Sequence, residues 1–145
     1  MGIDAVTKAF KIKIFMDGAD IEPMKAAHKA GTVKGFTTNP TLMRKSGITD
    51  YAAFAKAAIA AIPDLPISFE VFSDDFASME AEARVIASWG GDTFVKIPIS
   101  NTKGESAVPL IRKLSAEGFS LNVTAMMTLK QVKDVAAAVS PSSRT

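Results

Sequence analysis

The chain reads as an α/β protein built on a parallel sheet, and three features of its sequence carry that reading. Five short runs rich in β-branched and aromatic residues alternate with five stretches of helical periodicity. The helical stretches begin after capping residues and end at glycine or proline. No linker, low-complexity tract or charge block divides the 145 residues, so one domain spanning 1–145 is expected. Strict alternation requires crossover connections, which return successive strands in parallel. An open doubly wound sheet and a (β/α) barrel both satisfy it.

The predicted strands are "IKIFM" (12–16), "VKGFTT" (33–38), "PISFEVF" (66–72), "TFVKI" (93–97) and "FSLNVT" (119–124). Between the first two, "DIEPMKAAHKAG" offers Asp20 as N-cap, Pro23 in the tolerant first turn and Gly31 as C-cap. "TDYAAFAKAAIAAIP" starts at Thr49 or Asp50, aligns Tyr51, Phe54, Ala58 and Ile62 on one face, and stops at Pro63. "DDFASMEAEARVIASWGG" repeats the plan with Phe76, Met79, Ala83 and Ile86 and a closing glycine pair. "ESAVPLIRKLSAEG" and "TLKQVKDVAAAVSP" supply the last two helices, with Pro109 confined to a first turn. "SPSSRT" reads as a loop leaving the fifth helix.

Composition excludes several functions. The basic residues are dispersed, 17 Lys and Arg against 15 Asp and Glu, so no footprint for nucleic acid is present, while a small anionic substrate is not excluded. Cysteine is absent, which removes thiol nucleophiles and thiolate metal sites. The single histidine, His28, reads as a helix-surface residue, so acid–base chemistry falls to Asp, Glu, Lys, Tyr or a held water. Lysines 8, 11 and 13 interrupt any leader-like apolar run, Val6 breaks the myristoylation pattern, and no stretch reaches membrane-spanning length. A cytoplasmic protein with no membrane partner is expected.

In either architecture, function gathers at the C-terminal ends of the strands. Those ends carry Asp17, Asn39, Glu70, Lys96 and Thr124, with Asn122 just inside, each separated by about one βα unit. Taken singly, Asp17 reads as a helix cap, Asn39 before Pro40 as a turn residue and Thr124 as an ordinary strand residue. Glu70 and Lys96 sit inside apolar strands, where burial penalises charge. A structural ion pair is one account of them, although such pairs stabilise weakly once desolvation is counted. The other is chemical: an amine among apolar walls loses its proton more readily, and a neutral amine attacks carbonyls. Agreement among five strand ends favours the second, with Lys96 forming a Schiff base and Asp17, Glu70 and Thr124 handling protons and water. Asp17, Asp20 and Glu70 are the acids a divalent cation would use, but they are spread over separate loops and the amine chemistry needs no metal, so neither metal nor cofactor is expected.

The segments "FMDGAD", "GFTTNPTL", "SFEVF", "FVKIP" and "LNVTAMMTLKQV" resemble, in this order, the transaldolase family, which includes the fructose-6-phosphate aldolase type. The resemblance covers nearly all of residues 11 to 140. It implies a (β/α)8 TIM-barrel fold, of which the chain would supply about the first five βα units, the C-terminal units being missing. It implies Lys96 as the Schiff-base lysine, Asp17 as acid–base residue on the substrate hydroxyl, Glu70 and Thr124 as holders of the catalytic water, and Asn39, Asn122 and Thr38 as substrate-binding residues. Glu70 stands where aldolase-type members tend to carry Gln, which leans the chain toward transfer of a dihydroxyacetone unit between sugar phosphates. Met127, often Phe in the family, and Gly18 depart from the pattern. Implied alternatives are a fructose-6-phosphate aldolase-type lyase or a catalytically incomplete fragment. An open remnant would expose its last sheet edge and apolar helix surface, so a homo-oligomer or a complementing chain is expected. A flavodoxin-like binding domain ranks last, because "DGADIE" lacks the spacing of a glycine-rich phosphate loop.

Overall fold

The computed structural model describes residues 11–145; the readings made on Val6 and Lys8 lie outside them. Five parallel strands alternate with helices, an α/β arrangement consistent with part of a TIM-barrel domain. Two units are distinguished: one runs to Phe69 and includes Trp89–Thr93, the other comprises Glu70–Ser88 and Phe94–Thr145.

In the first unit, β1 (Met16–Asp17), β2 (Phe36–Thr37) and all of β3 (Ile67–Glu70) but Glu70 begin the series, and β2 pairs in parallel with both neighbours. The two-residue β1 and β2 are shorter than their sequence runs, yet backbone pairing continues past them, with Lys34 N–H on the Ile14 carbonyl at 2.7 Å and Gly18 N–H on the Thr37 carbonyl at 3.0 Å. Gly35 leaves room for the Phe15 side chain, since a β-carbon there would clash with the ring edge. Helix α1 (Ile21–Ala30) starts at Asp20, whose carboxylate accepts from Glu22 N–H, and ends at Gly31 with φ 66°, both as the sequence predicts. His28 is partly buried and paired with Asp64 at 2.7 Å.

A helix absent from the sequence reading, α2 (Pro40–Lys45), follows β2; Asn39 caps it and Pro40 opens it, so the "NP" pair is a helix start rather than a turn. Helix α3 (Tyr51–Ala61) is capped by Asp50, and Phe54, Ala58 and Ile62 are buried as expected. Tyr51, Phe69 and Trp89 meet edge to face with centroids 5.3–6.1 Å apart, closing this core.

In the second unit, α4 (Phe76–Ala87) starts at Asp75 and buries Met79, Ala83 and Ile86. Strand β4 (Thr93–Pro98) pairs in parallel with β5 (Leu121–Thr124), and on its other side the Lys96 carbonyl accepts from Val71 N–H, just beyond β3, at 3.1 Å. In a doubly wound sheet of the dinucleotide-binding type the fourth strand lies beside the first, and in the flavodoxin type β1 separates β2 from β3. Here β2 lies between β1 and β3, and β4 meets the exit of β3, an order that fits neither and fits a barrel. Helix α5 (Val108–Ala116) begins later than the sequence suggested, because residues 100–106 close a turn through the Ser100 and Ser106 bridge and Pro109 can only occupy the first turn. Helix α6 (Leu129–Ala136) opens on a capping box between Thr128 and Gln131.

"SPSSRT" is not a departing loop. The buried Ser115 hydroxyl, 1% exposed, takes Ser140 N–H and donates to Ser143, and the Arg144 carbonyl accepts from Leu121 N–H at 2.8 Å, so the segment lies along β5. Arg144 also stacks over Phe94 at 4.8 Å. Met127, Leu129 and Val132 remain exposed, part of the apolar helix surface the sequence anticipated.

Candidate active site

The pleat of β4 and β5 sorts their side chains into two faces. Val95, Ile97, Leu121 and Val123 are buried, and register places Val95 level with Leu121 and Ile97 level with Val123. The intervening residues therefore share the opposite face: Lys96 lies level with Asn122, and Pro98 with Thr124. The lysine that looked anomalous in an apolar run belongs to a separate, polar side of a half-buried strand.

On that face the Lys96 ammonium stands 3.5 Å from the Glu70 carboxylate, the two side chains being 14% and 18% exposed. The separation exceeds a good N–H···O hydrogen bond, so the pair is electrostatic rather than a tight bridge. Lys96 is also not at the strand end, as the sequence placed it; β4 continues to Pro98, which sets the amine back from the rim and level with Asn122. An amine, a carboxylate, an amide and, further along, a hydroxyl are thus collected on one unit's polar surface, a set able to attack a carbonyl and move protons.

The first unit holds the other predicted residues. Asp17 ends β1 level with Thr37, whose hydroxyl donates to its carboxylate at 2.8 Å. Asn39 uses its side-chain oxygen to cap α2, accepting from Leu42 N–H at 2.9 Å, which leaves its amide N–H groups to point elsewhere. Thr38 is fully buried and donates to the Ser68 carbonyl at 3.0 Å, so it supports the sheet from inside.

Thr37 was missed by sequence reasoning, which took the neighbouring threonine; alternation alone separates the two, and only the β1–β2 register shows which one meets Asp17. Also unread were carboxylates that fasten the loops after β3 and β4. Glu82 accepts from Phe72 N–H, Ser73 N–H and the Ser73 hydroxyl. Asp74 accepts from the Thr102 hydroxyl and N–H, which hold its carboxyl below the usual range. Among the described residues no group of three or more His, Cys, Asp or Glu could hold a metal ion, and no helix is long and apolar enough to cross a membrane.

Residues 14–143 match the family model described as transaldolase/fructose-6-phosphate aldolase. A probable transaldolase of Dehalococcoides mccartyi is 39% identical over 120 residues, covering 83% of this chain and 54% of the relative. A probable transaldolase of Streptococcus equi subsp. zooepidemicus is 40% identical over the same share of this chain and 53% of its own length. Probable transaldolase 2 of Listeria monocytogenes is 36% identical, with 52% of its length covered. The chain thus spans about half the length of the curated relatives it matches. Strand order, the paired lysine and glutamate, and these matches agree: the chain belongs to the transaldolase/fructose-6-phosphate aldolase family.

Proposed function

We propose that the chain carries lysine Schiff-base chemistry on sugar phosphates, transferring a dihydroxyacetone unit in the manner of a transaldolase. The observation that carries the reading is the Lys96 amine on a shielded polar face, 3.5 Å from Glu70 and level with Asn122. The neutral amine adds to the ketone carbon of a donor such as fructose 6-phosphate, and loss of water gives an iminium. The adjacent C–C bond then breaks, its electrons passing into the iminium to form an enamine, while the hydroxyl proton leaves to a carboxylate and an aldose phosphate departs. The enamine attacks an acceptor aldehyde such as erythrose 4-phosphate, and water releases the product.

The family resemblance assigns the remaining roles: Asp17 the hydroxyl proton, Glu70 and Thr124 the water, Asn39 and Asn122 the substrate; Thr38, buried against the Ser68 carbonyl, would support them from behind. Glu70 favours transfer over simple aldol cleavage. The enzyme would act in the cytoplasm, in the pentose phosphate part of carbohydrate metabolism, as a homo-oligomer or with a chain that completes the barrel. Residues 1–145 would form a single domain of about five βα units. One other reading is a catalytically incomplete fragment.

Treatment with fructose 6-phosphate and borohydride should add an irreversible mass to the Lys96 peptide, and Lys96→Arg should abolish it. Absence of the adduct in a folded sample refutes the Schiff-base reading. An adduct without transfer to erythrose 4-phosphate identifies the incomplete fragment.

A further inference from the structure

The segment that carries Glu70 out of β3 is held by groups the proposed chemistry does not use. Val71 N–H is fixed on the Lys96 carbonyl at 3.1 Å. The next two residues are bound by one carboxylate on α4: Glu82 Oε2 accepts from Phe72 N–H at 2.7 Å and Ser73 N–H at 3.0 Å, and Oε1 from the Ser73 hydroxyl at 2.5 Å. One residue on, Asp74 takes Thr102 N–H at 2.8 Å and its hydroxyl at 2.6 Å, on the segment after β4.

The start of α4 does not require this. Asp75 already caps that helix, accepting from Ser78 N–H at 2.9 Å. Bonds to an ionised carboxylate are among the stronger hydrogen bonds, and here three of them converge on the two residues that follow Glu70 and Val71. The Glu70 carboxylate stands 3.5 Å from the Lys96 amine, longer than a good N–H···O hydrogen bond, so the position of this strand exit bears on how closely the two groups meet.

The geometry points to Glu82 as a positioning residue: by clamping the Phe72–Ser73 backbone it sets the separation between Glu70 and Lys96 and thereby the reactivity of the amine. This inference rests on the Schiff-base reading of Lys96. A carboxylate that merely anchored the loop to α4 would contribute stability and leave the amine's behaviour untouched.

The test compares the full chain with its Glu82→Ala, Glu82→Gln and Ser73→Ala variants. Each is treated with dihydroxyacetone and cyanoborohydride from neutral to alkaline pH. Adduct on the Lys96 peptide is followed in time and normalised to the folded fraction by circular dichroism. Glu82→Ala is expected to slow adduct formation roughly tenfold at neutral pH, within what misplacing a catalytic group produces, and to displace the pH of half-maximal rate. Glu82→Gln, which keeps an acceptor oxygen for the backbone N–H groups, should recover part of the rate, and Ser73→Ala should shift the profile the same way by less. An unchanged profile per folded molecule in Glu82→Ala, with adduct forming normally on the parent, overturns this inference alone. No adduct on the parent overturns it together with the reading beneath it. Should Glu82→Ala fail to fold, unchanged profiles in both Glu82→Gln and Ser73→Ala overturn it, and a shift in either supports it.

Discussion

The Glu70–Lys96 pair allows the structural and chemical accounts of the lysine to be separated by stability alone. At 3.5 Å and an effective dielectric of about 20, the mutual attraction is about 5 kcal/mol. Withdrawing two side chains that are only 14% and 18% exposed from water costs several kcal/mol for each ion, so the intact pair is worth about 0 kcal/mol net. Lys96→Met removes the attraction and leaves Glu70 largely desolvated. Complete burial would place the loss at about 3–5 kcal/mol, and the residual solvent access reduces it to about 2–3 kcal/mol. Lys96→Met/Glu70→Gln removes both charges and should return to within about 1 kcal/mol of the parent. Urea unfolding of the parent, Lys96→Met, Glu70→Gln and the double variant by far-ultraviolet circular dichroism closes the cycle. If the double variant is as unstable as Lys96→Met, or worse, the pair does hold the fold together and the reasoning fails. If it recovers, the lysine is kept for something other than stability.

Gly91, at φ 62° with Ile59 Cγ2 2.6 Å from where a β-carbon would sit, should lose more stability on Gly91→Ala than Gly90, at φ 88° with open space around it, loses on Gly90→Ala. The second change carries only the backbone strain of about 1 kcal/mol, and equal losses in urea melts would dismiss the Ile59 contact. Asn39→Ala should weaken the start of α2 by about 1 kcal/mol while Asn39→Asp preserves the cap, so a loss of adduct yield in Asn39→Asp at unchanged melting temperature isolates the amide's role toward substrate. Glu80 is held below the usual carboxylate range by Lys113 and then Arg84, Glu117 by Arg84, and Asp75 by the Ser78 N–H. Depressed folded values make these contributions complete above the ordinary carboxylate pKa of about 4 and remove them as pH falls through the lowered values. The urea midpoint should therefore drop on acidification, less steeply in high salt because the groups are exposed; a midpoint that rises on acidification contradicts the assignment.

The amino-acid order by itself determined the local decisions. Alternating β-branched runs and amphipathic stretches specify strands and helices in a parallel arrangement, and Asp20, Asp50 and Thr128 mark helix starts because their side chains accept backbone N–H groups a few residues on. It also marked Glu70 and Lys96, since charge inside an apolar run is conspicuous without any coordinates. What required tertiary structure was everything set by register and distance. The β4–β5 pairing makes Lys96 and Asn122 neighbours on a polar face, and the β1–β2 pairing selects Thr37 over Thr38 as the partner of Asp17. Helix α2 escaped the sequence reading because six residues are too few for a periodic signal, and it is legible only once Asn39 is seen capping it. The Glu82 clamp escaped for a related reason. Its partners lie nine and ten residues away across a loop, and a pattern along the chain cannot report which backbone groups a side chain meets after the chain has turned back.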